Sequence, residues 1–314
     1  MIQSRLCDLI HIEYPLFQGA MAWISDGRLA AAVSNGGGLG IIAGGNAPGE
    51  YVREQIQIAA AATDKPFGVN IMLMSPFAAE VAKVAAEEKV AVVTTGAGNP
   101  GKYMDLWHAA GIKVIPVVAS VAHAKLMARA GATALIGEGS ESGGHIGELT
   151  TMALIPQLAD ATDLPLLAAG GIADGRGFAA ALMLGACGVQ MGTRFLAAHE
   201  CTIHRNYKDK ILEAGDRATM VTGSRLGHAV RSLKNQFSRD YLKAEYSDIS
   251  DADLEKMAEG VLKIAVTEGD VKRGCFLAGQ IVSLVHKEQP AAEIIREVID
   301  EAEPLLKGAA QWVK

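Results

Sequence analysis

Eight short apolar runs separated by alanine-rich amphipathic stretches are the feature that most constrains this fold. Each run is continuously apolar, as expected for a parallel strand that is buried on both faces. The runs lie at Tyr14–Gln18, Leu39–Ala43, Phe67–Met72, Ala91–Thr95, Lys113–Val118, Ala134–Glu138, Leu164–Ala168 and Gly188–Met191. Eight successive strand–helix units predict an α/β protein with a (β/α)8 TIM barrel, and a doubly wound open sheet is the alternative.

Helices are predicted between these strands, at Gly49–Ala62, Pro76–Lys89, Lys102–Ala110, Val121–Ala130 and Leu149–Ala161. Ser75 offers an N-cap and Pro76 suits the first helical position, while Gly111 and Gly131 are typical helix ends. These signals agree with the strand assignment.

The composition changes after Thr202. Between Asn206 and Gly269 the charge density rises and strand-like runs are missing, which predicts a small helical insertion that covers the barrel mouth as a lid. The chain then returns to the barrel and ends in an amphipathic helix around Ala292–Leu306. The predicted domains are a barrel over residues 1–205 and 270–314 and a lid over residues 206–269.

The charge and the cysteines exclude several classes of protein. A net charge of −6 argues against a nucleic-acid binder, which is normally basic. The cysteines lack metal-ligand spacing, so we predict reduced, structural thiols and no metal site. No apolar run approaches the ~20 residues of a membrane span, and no signal peptide is evident. We therefore expect a cytoplasmic protein that does not enter membranes.

Two glycine-rich turns follow the last two predicted strands. The first contains Ala169, Gly170 and Gly171, and the second contains Gly192 and Thr193. Glycine turns let backbone N–H groups approach a phosphate, and the N-terminus of the next helix attracts an anion. In (β/α)8 barrels the loops after strands 7 and 8 often bind phosphate. The sequence therefore predicts a phosphorylated cofactor or substrate.

The loop after the sixth predicted strand, residues 138–147, contains one histidine between glycines. His145 follows Gly143 and Gly144, so its ring is expected to stand clear of neighbouring side chains. Histidine titrates near neutral pH and is a frequent proton-transfer group. Because the loop lies at the catalytic face of a barrel, His145 is the candidate catalytic residue; a histidine bonded into a loop is the alternative.

Other strand ends carry groups suited to a planar ring. Small residues and a methionine follow the first strand. Single polar residues interrupt or end three apolar strands, where a buried polar group needs a partner. A later glycine–glutamine pair is a candidate for returning to the site. These candidates are Gly19, Ala20, Met21, Asn70, Thr95, Gln190 and the pair Gly279-Gln280. Together they predict one binding site at the barrel mouth.

Several of these segments carry a family resemblance. Residues 18–23, 70–77, 94–100, 143–147 and 227–231 resemble the flavin-dependent (FabK-type) enoyl-acyl carrier protein reductases of bacterial type II fatty acid synthesis, within the nitronate monooxygenase superfamily. Ala20 stands where many relatives have glycine. The resemblance spans nearly the whole chain.

The resemblance implies an FMN-binding barrel in which NADH or NADPH is the reductant of a trans-2-enoyl thioester. His145 would contact the thioester carbonyl or assist protonation. Gly170, Gly171, Gly192 and Thr193 would bind the FMN phosphate, and Asn70 and Gln190 the ring edge. The implied cofactor-binding set is Gly19, Ala20, Met21, Asn70, Thr95, Glu138, Gly143, Gly144, Ala169, Gly170, Gly171, Gln190, Met191, Gly192, Thr193 and Gln280.

Acyl carrier protein is the implied partner, and a homodimer is the implied assembly. A basic helix face that would attract the acidic carrier is predicted in the insertion, from Arg225, Arg231, Lys234, Arg239 and Lys243. The choice between NADH and NADPH and any dependence on a monovalent cation stay open at this point.

Three other functions fit parts of the pattern. A nitronate monooxygenase would share the barrel, FMN and histidine, but the histidine would remove a proton from a nitroalkane and oxygen would be consumed. A phosphate-binding barrel like the inosine monophosphate dehydrogenases would need a nucleophilic cysteine in the loop after strand six, and residues 138–151 contain none. A flavin-binding sensor or carrier would lack turnover.

Overall fold

The computed structural model describes Ile2 and residues 4–313 of the chain. Short strands alternate with helices along its first two thirds. The strands are β1 (Leu16–Gln18), β2 (Ile41–Ala43), β3 (Gly68–Met72), β4 (Val92–Gly96), β5 (Lys113–Val118), β6 (Leu135–Glu138), β7 (Gly144–His145), β8 (Leu166–Ala169), β9 (Gly188–Met191), β10 (Thr219–Thr222) and β11 (Val230–Leu233).

Parallel pairing joins eight of these strands in the order β1-β9-β8-β6-β5-β4-β3-β2. Beyond that sheet, Leu39 N–H donates to the Leu16 carbonyl and Gln18 N–H donates to the Leu39 carbonyl, both at 2.9 Å. These bonds bring β1 beside β2, so the sheet curls into a nearly closed barrel. All eight predicted strands and the barrel are confirmed, and the open sheet is excluded.

Helices surround the barrel and overlap the predicted ranges. They are α1 (Arg5–Ile10), α2 (Gly27–Asn35), α3 (Gly49–Ala62), α4 (Ala78–Glu87), α5 (Met104–Ala109), α6 (Val121–Arg129), α7 (Thr151–Ala161), α8 (Gly175–Met183), α9 (Arg205–Leu212), α10 (Gln236–Glu245), α11 (Asp251–Met257), α12 (Val261–Lys263) and α13 (Ala291–Lys307). The predicted start at Ser75 and Pro76 is wrong, because α4 begins at Ala78 and the Ser75 hydroxyl accepts from the Phe77 N–H in the turn before it. A 3-10 turn, Pro100–Tyr103, precedes α5, because the Asn99 side chain and the proline favour a tight start.

The core explains why one end of the barrel is open. Phe17, Ile41 and Ile136 belong to one buried cluster, to which α1 contributes Leu6 and Ile10. Helix α1 therefore closes the end of the barrel near the strand N-termini. The opposite end, where the strands finish, is left for loops and a ligand, as in other barrels of this type.

The insertion is not purely helical, which corrects the prediction that strands are missing there. Besides α9 to α12 it contains β10 and β11, which pair antiparallel. Strand β11 also pairs with β7 in the loop after β6, so the insertion is joined to the predicted catalytic loop by backbone hydrogen bonds. The division into a barrel domain and a lid domain stays a prediction. Within the described residues, no helix is long and apolar enough to cross a membrane.

Candidate active site

A cavity lies at the carboxyl ends of β1, β9, β8 and β6, which are consecutive neighbours in the barrel. Most residues predicted to bind a cofactor line it: Gly19, Ala20, Met21, Glu138, Gly143, Ala169, Gly170, Gly171, Gln190, Met191, Gly192 and Thr193. Gly279 is in the wall as well, so its segment does return to the site. Residues that the sequence analysis missed are Ile24, Glu141, Ser142, Ile172, Leu196, Leu277 and Ile281.

The turn after β8 presents backbone to the cavity. Gly170 and Gly171 have φ angles of +84° and +75°, a left-handed conformation that side chains disfavour. A Cβ atom on Gly170 would also lie 2.7 Å from the Gly139 carbonyl oxygen. Helix α8 begins just beyond this turn, and the Asp174 side chain caps it by accepting from Arg176 N–H and Gly177 N–H. The glycines therefore give a ligand direct access to main-chain groups.

Three segments meet beside the second glycine turn. The Gly279 N–H donates to Thr193 Oγ1 at 2.8 Å, and the Gln280 N–H donates to the Glu141 carbonyl at 2.9 Å. Gly143 packs so closely that a Cβ atom there would lie 2.6 Å from the Ala278 carbonyl carbon. The second glycine turn, the loop after β6 and the returning segment are therefore held together by main-chain contacts at the cavity wall.

Glu141 fixes the loop after β6. Its carboxylate accepts from the Thr151 N–H at 3.0 and 2.9 Å, at the start of α7. The Thr151 hydroxyl lies 2.8 Å from the Gly170 carbonyl oxygen, so the same contact reaches the first glycine turn. A glutamate ten residues before a helix start is not a local capping pattern, which is why the sequence did not identify it.

Glu138 and Ser142 are polar groups without a strong protein partner. Burial raises the pKa of Glu138 to about 7, although the nearby Ser142 hydroxyl lowers it in part. Glu138 is only half-buried by surface area because it faces the cavity, but the barrel around it keeps bulk water away. The Ser142 hydroxyl is buried and, within the described chain, has no hydrogen-bond partner of good geometry. Both groups are therefore available to a ligand.

Four predicted cofactor residues lie outside the cavity wall. Asn70 donates from Nδ2 to Thr94 Oγ1 at 3.0 Å, so a neighbouring strand at least partly satisfies this amide. Thr95 is buried in β4, and Gln280 is exposed at the start of a 3-10 turn. Gly144 lies in β7, next to His145. Contacts of these residues with a cofactor stay predictions.

His145 is exposed on β7, close to the cavity wall at Gly143. Its pKa is lowered, first because surrounding protein removes water and then because His228 lies nearby. A histidine with a lowered pKa is mainly neutral at pH 7, so His145 offers both a donor and an acceptor nitrogen. The proximity of His228 to His145 was not predicted from the sequence.

The basic residues of the insertion do not share one helix face, which corrects that prediction. Arg231 lies on β11, is buried, and donates to the Ser140 carbonyl from Nε at 3.2 Å and Nη2 at 3.0 Å. Arg225 lies in a turn and donates to carbonyls after α10, and Lys234 donates to the Arg217 carbonyl. Arg239 and Lys243 alone are on one helix, α10, where both are exposed.

Comparison with known proteins identifies the family. The family model described as nitronate monooxygenase matches residues 3–89 and 75–301. FabK from Thermotoga maritima is 47% identical, with a TM-score of 0.97 over all of both chains. A nitroalkane oxidase from Streptomyces ansochromogenes is 26% identical, with a TM-score of 0.87 over 97% of this chain and 99% of its own.

A curated relative also aligns over the full length. It is the (3aS,4S,5R,7aS)-5-hydroxy-7a-methyl-1-oxo-octahydro-1H-indene-4-carboxyl-CoA dehydrogenase of Mycobacterium tuberculosis, 31% identical over 100% of this chain and 99% of its own. The family match covers far more than half of the chain, and the names of these relatives are those of oxidoreductases. The chain therefore belongs to the nitronate monooxygenase family of oxidoreductases.

Proposed function

We propose that this chain is an FMN-dependent reductase of trans-2-enoyl thioesters, with NADH or NADPH as reductant and acyl carrier protein as the carrier of its substrate. The observation that carries the proposal is the full-length likeness to FabK, at 47% identity. The relative that acts on a carboxyl-CoA compound gives independent support for a thioester substrate.

FMN fits the donors of the cavity. Its phosphate suits the glycine turns at residues 170–171 and 192–193, where side chains are absent or small and the α8 N-terminus lies just beyond. Its ring needs flat contacts and a few polar groups, which Met21, Gln190 and the small residues 19–20 provide. When bound, FMN supplies two-electron hydride chemistry.

The protein groups act on the substrate oxygen and on protons. His145, neutral at pH 7, donates an N–H to the thioester carbonyl, on which negative charge develops as the β-carbon is reduced. Glu138, with a pKa of about 7, is partly protonated at neutral pH, and its protonated form can donate a hydrogen bond inside the cavity.

A second candidate is oxidation of nitronates with oxygen. The family model and the nitroalkane oxidase neighbour favour it. With a nitroalkane as the substrate, a neutral His145 would first accept a proton from the carbon next to the nitro group, and the nitronate that results would then be oxidised.

Two assays on the same preparation separate these candidates. The first follows NADH and NADPH oxidation with crotonyl-CoA, and the second follows oxygen uptake with a nitronate and no nicotinamide. We expect oxidation of NADH or NADPH that depends on crotonyl-CoA and persists without oxygen. Rapid oxygen uptake with the nitronate and no response to crotonyl-CoA would assign the chain to nitronate chemistry.

The homodimer and the cytoplasmic location also stay proposals, which rest on the resemblance to FabK-type enzymes. Sedimentation velocity at several protein concentrations tests the dimer. A single species at the monomer mass would exclude it.

A further inference from the structure

Two histidines lie side by side where the insertion meets the barrel. In the antiparallel ladder between β7 and β11, His145 pairs with Val230. The ladder continues beyond β7, because the Ile146 N–H donates to the Ala229 carbonyl at 2.9 Å. His228 comes two residues before Val230, just outside β11, and the Ala229 carbonyl that follows it is bonded to Ile146, so His228 lies diagonally opposite His145 along the ladder. Such diagonal neighbours lie within reach of ring side chains.

The position of His228 is fixed by its own backbone. Its N–H donates to the Gly223 carbonyl at 3.1 Å, which closes the turn that leads from β10 into β11. The side chain is exposed, as is that of His145. The pKa of His145 is lowered first by desolvation and second by the neighbouring His228, which agrees with the placement of the two residues along the ladder.

Three charged groups near these two strands have partners of their own. Glu141 accepts from Thr151, Arg231 donates to the Ser140 carbonyl, and Arg225 donates to carbonyls after α10. Glu148, three residues after His145 in the sequence, is exposed. The two imidazoles are therefore the exposed titratable side chains that the ladder itself brings together.

We propose that His228 is a second donor to the carbonyl oxygen of the thioester, acting beside His145. This inference rests on the proposed function. Sites that stabilise a developing oxyanion commonly use two converging donors, and the cavity loop supplies one imidazole while the insertion supplies the other. The substrate carbonyl would then be held only when the insertion lies against the barrel, which gives the insertion a direct part in the reaction.

The test compares His228→Ala and His228→Gln with the wild-type holoenzyme by anaerobic stopped-flow. NADH reduces the enzyme in one experiment, and crotonyl-CoA reoxidises the reduced enzyme in another. We expect His228→Ala to slow reoxidation by about tenfold or more, because one oxyanion donor is lost. Reduction by NADH should stay within about twofold, and His228→Gln, which keeps an N–H donor, should recover part of the rate. His199→Ala, another exposed histidine, is the matched control.

A second readout does not depend on turnover. Imidazole NMR gives the pKa of His145 in the wild type and in His228→Ala, and the pKa should rise when the neighbouring ring is removed. Unchanged reoxidation by crotonyl-CoA, or an unchanged His145 pKa, would overturn the pairing while leaving the proposed function intact. A wild-type enzyme that crotonyl-CoA does not reoxidise would overturn both.

Discussion

At the residue scale, the reactive groups are defined by what surrounds them. His145 is placed by a two-residue strand, and its lowered pKa keeps it neutral at pH 7. Glu138 has the opposite character, since burial raises its pKa to about 7. His145 beside the cavity and Glu138 in its wall can therefore both be uncharged near neutral pH.

Replacing His145 tests its part in turnover. We expect His145→Ala to lose on the order of 10²-fold or more in kcat with crotonyl-CoA, because a proton-transferring or donating group is lost. FMN content, measured by absorbance, should not change, since the cavity wall is built by other residues. An alanine variant with full activity would remove His145 from the mechanism.

Replacing Glu138 tests the raised pKa. The ordinary value is 4.5 and the folded value is about 7, so between these pH values the folded protein holds more protons at this site than the unfolded chain does. The contribution of Glu138 to the free energy of unfolding is therefore fully present below pH 4.5 and is lost as the pH rises towards 7. Relative to Glu138→Gln, the wild-type Tm should fall across this window. Glu293→Gln, on an exposed part of α13, is the control. If Tm depends on pH in the same way in Glu138→Gln and in the wild type, the raised pKa is contradicted.

At the element scale, helix α13 connects both glycine turns. Glu301 accepts from the Gly175 N–H at 3.0 Å, at the start of α8 and just beyond the first turn. Arg194, buried beyond the second turn, donates from Nη2 to Gln289 at 3.0 Å and contacts Glu297 at 3.4 Å. The C-terminal helix therefore positions backbone that the proposed phosphate site uses.

Glu301→Ala tests this link. Loss of one hydrogen bond to the α8 start costs about 1 kcal/mol, which corresponds to roughly fivefold weaker FMN binding if the turn loosens. Fluorescence titration of the apoprotein with FMN gives the dissociation constant. Glu293→Ala on the same helix should bind FMN like the wild type, and equal affinity in the Glu301 variant would show that α13 does not act on the site.

Helix α10 is the remaining candidate for carrier-protein docking. Charge reversal of Arg239 and Lys243, both exposed one turn apart, should raise KM for an enoyl-acyl carrier protein and leave KM for crotonyl-CoA unchanged. The comparison of the two substrates is the internal control. An equal change for both would count against docking on this helix.

The barrel strands were predictable because a parallel strand buried on both faces is a continuous apolar run, readable from a few residues. Strands β10 and β11 were not, because four-residue segments such as Thr219–Thr222 carry mixed polarity and depend on pairing with a distant loop. The contact between Glu141 and Thr151 and the proximity of His228 to His145 were not predicted either, because these residues are also separated in the sequence. Gly170 and Gly171 could be identified from the sequence because paired glycines directly after a predicted strand indicate a turn.

At the scale of the whole molecule, the cavity wall combines segments that are far apart in sequence. The loops after β1, β6, β8 and β9 meet the returning segment 277–281, and β11 bridges to Leu277 through Ser232. A ligand bound there should therefore stabilise the barrel, the loop after β6 and the insertion together.

Removal of FMN tests that connection. With free FMN at about 1,000 times its dissociation constant, binding stabilises the native state by about 4.1 kcal/mol. Thermal unfolding of the apoprotein should therefore occur several degrees below that of the holoprotein, and added FMN should restore the transition. A Tm that does not respond to FMN would indicate that the glycine turns do not hold it.

An anaerobic absorption titration of the purified protein tests the proposed flavin chemistry most sharply. We expect a flavin spectrum that NADH or NADPH bleaches and that a stoichiometric enoyl thioester restores without oxygen. A protein that carries no flavin and binds none, or a reduced flavin that the enoyl thioester leaves bleached, would contradict the proposed function.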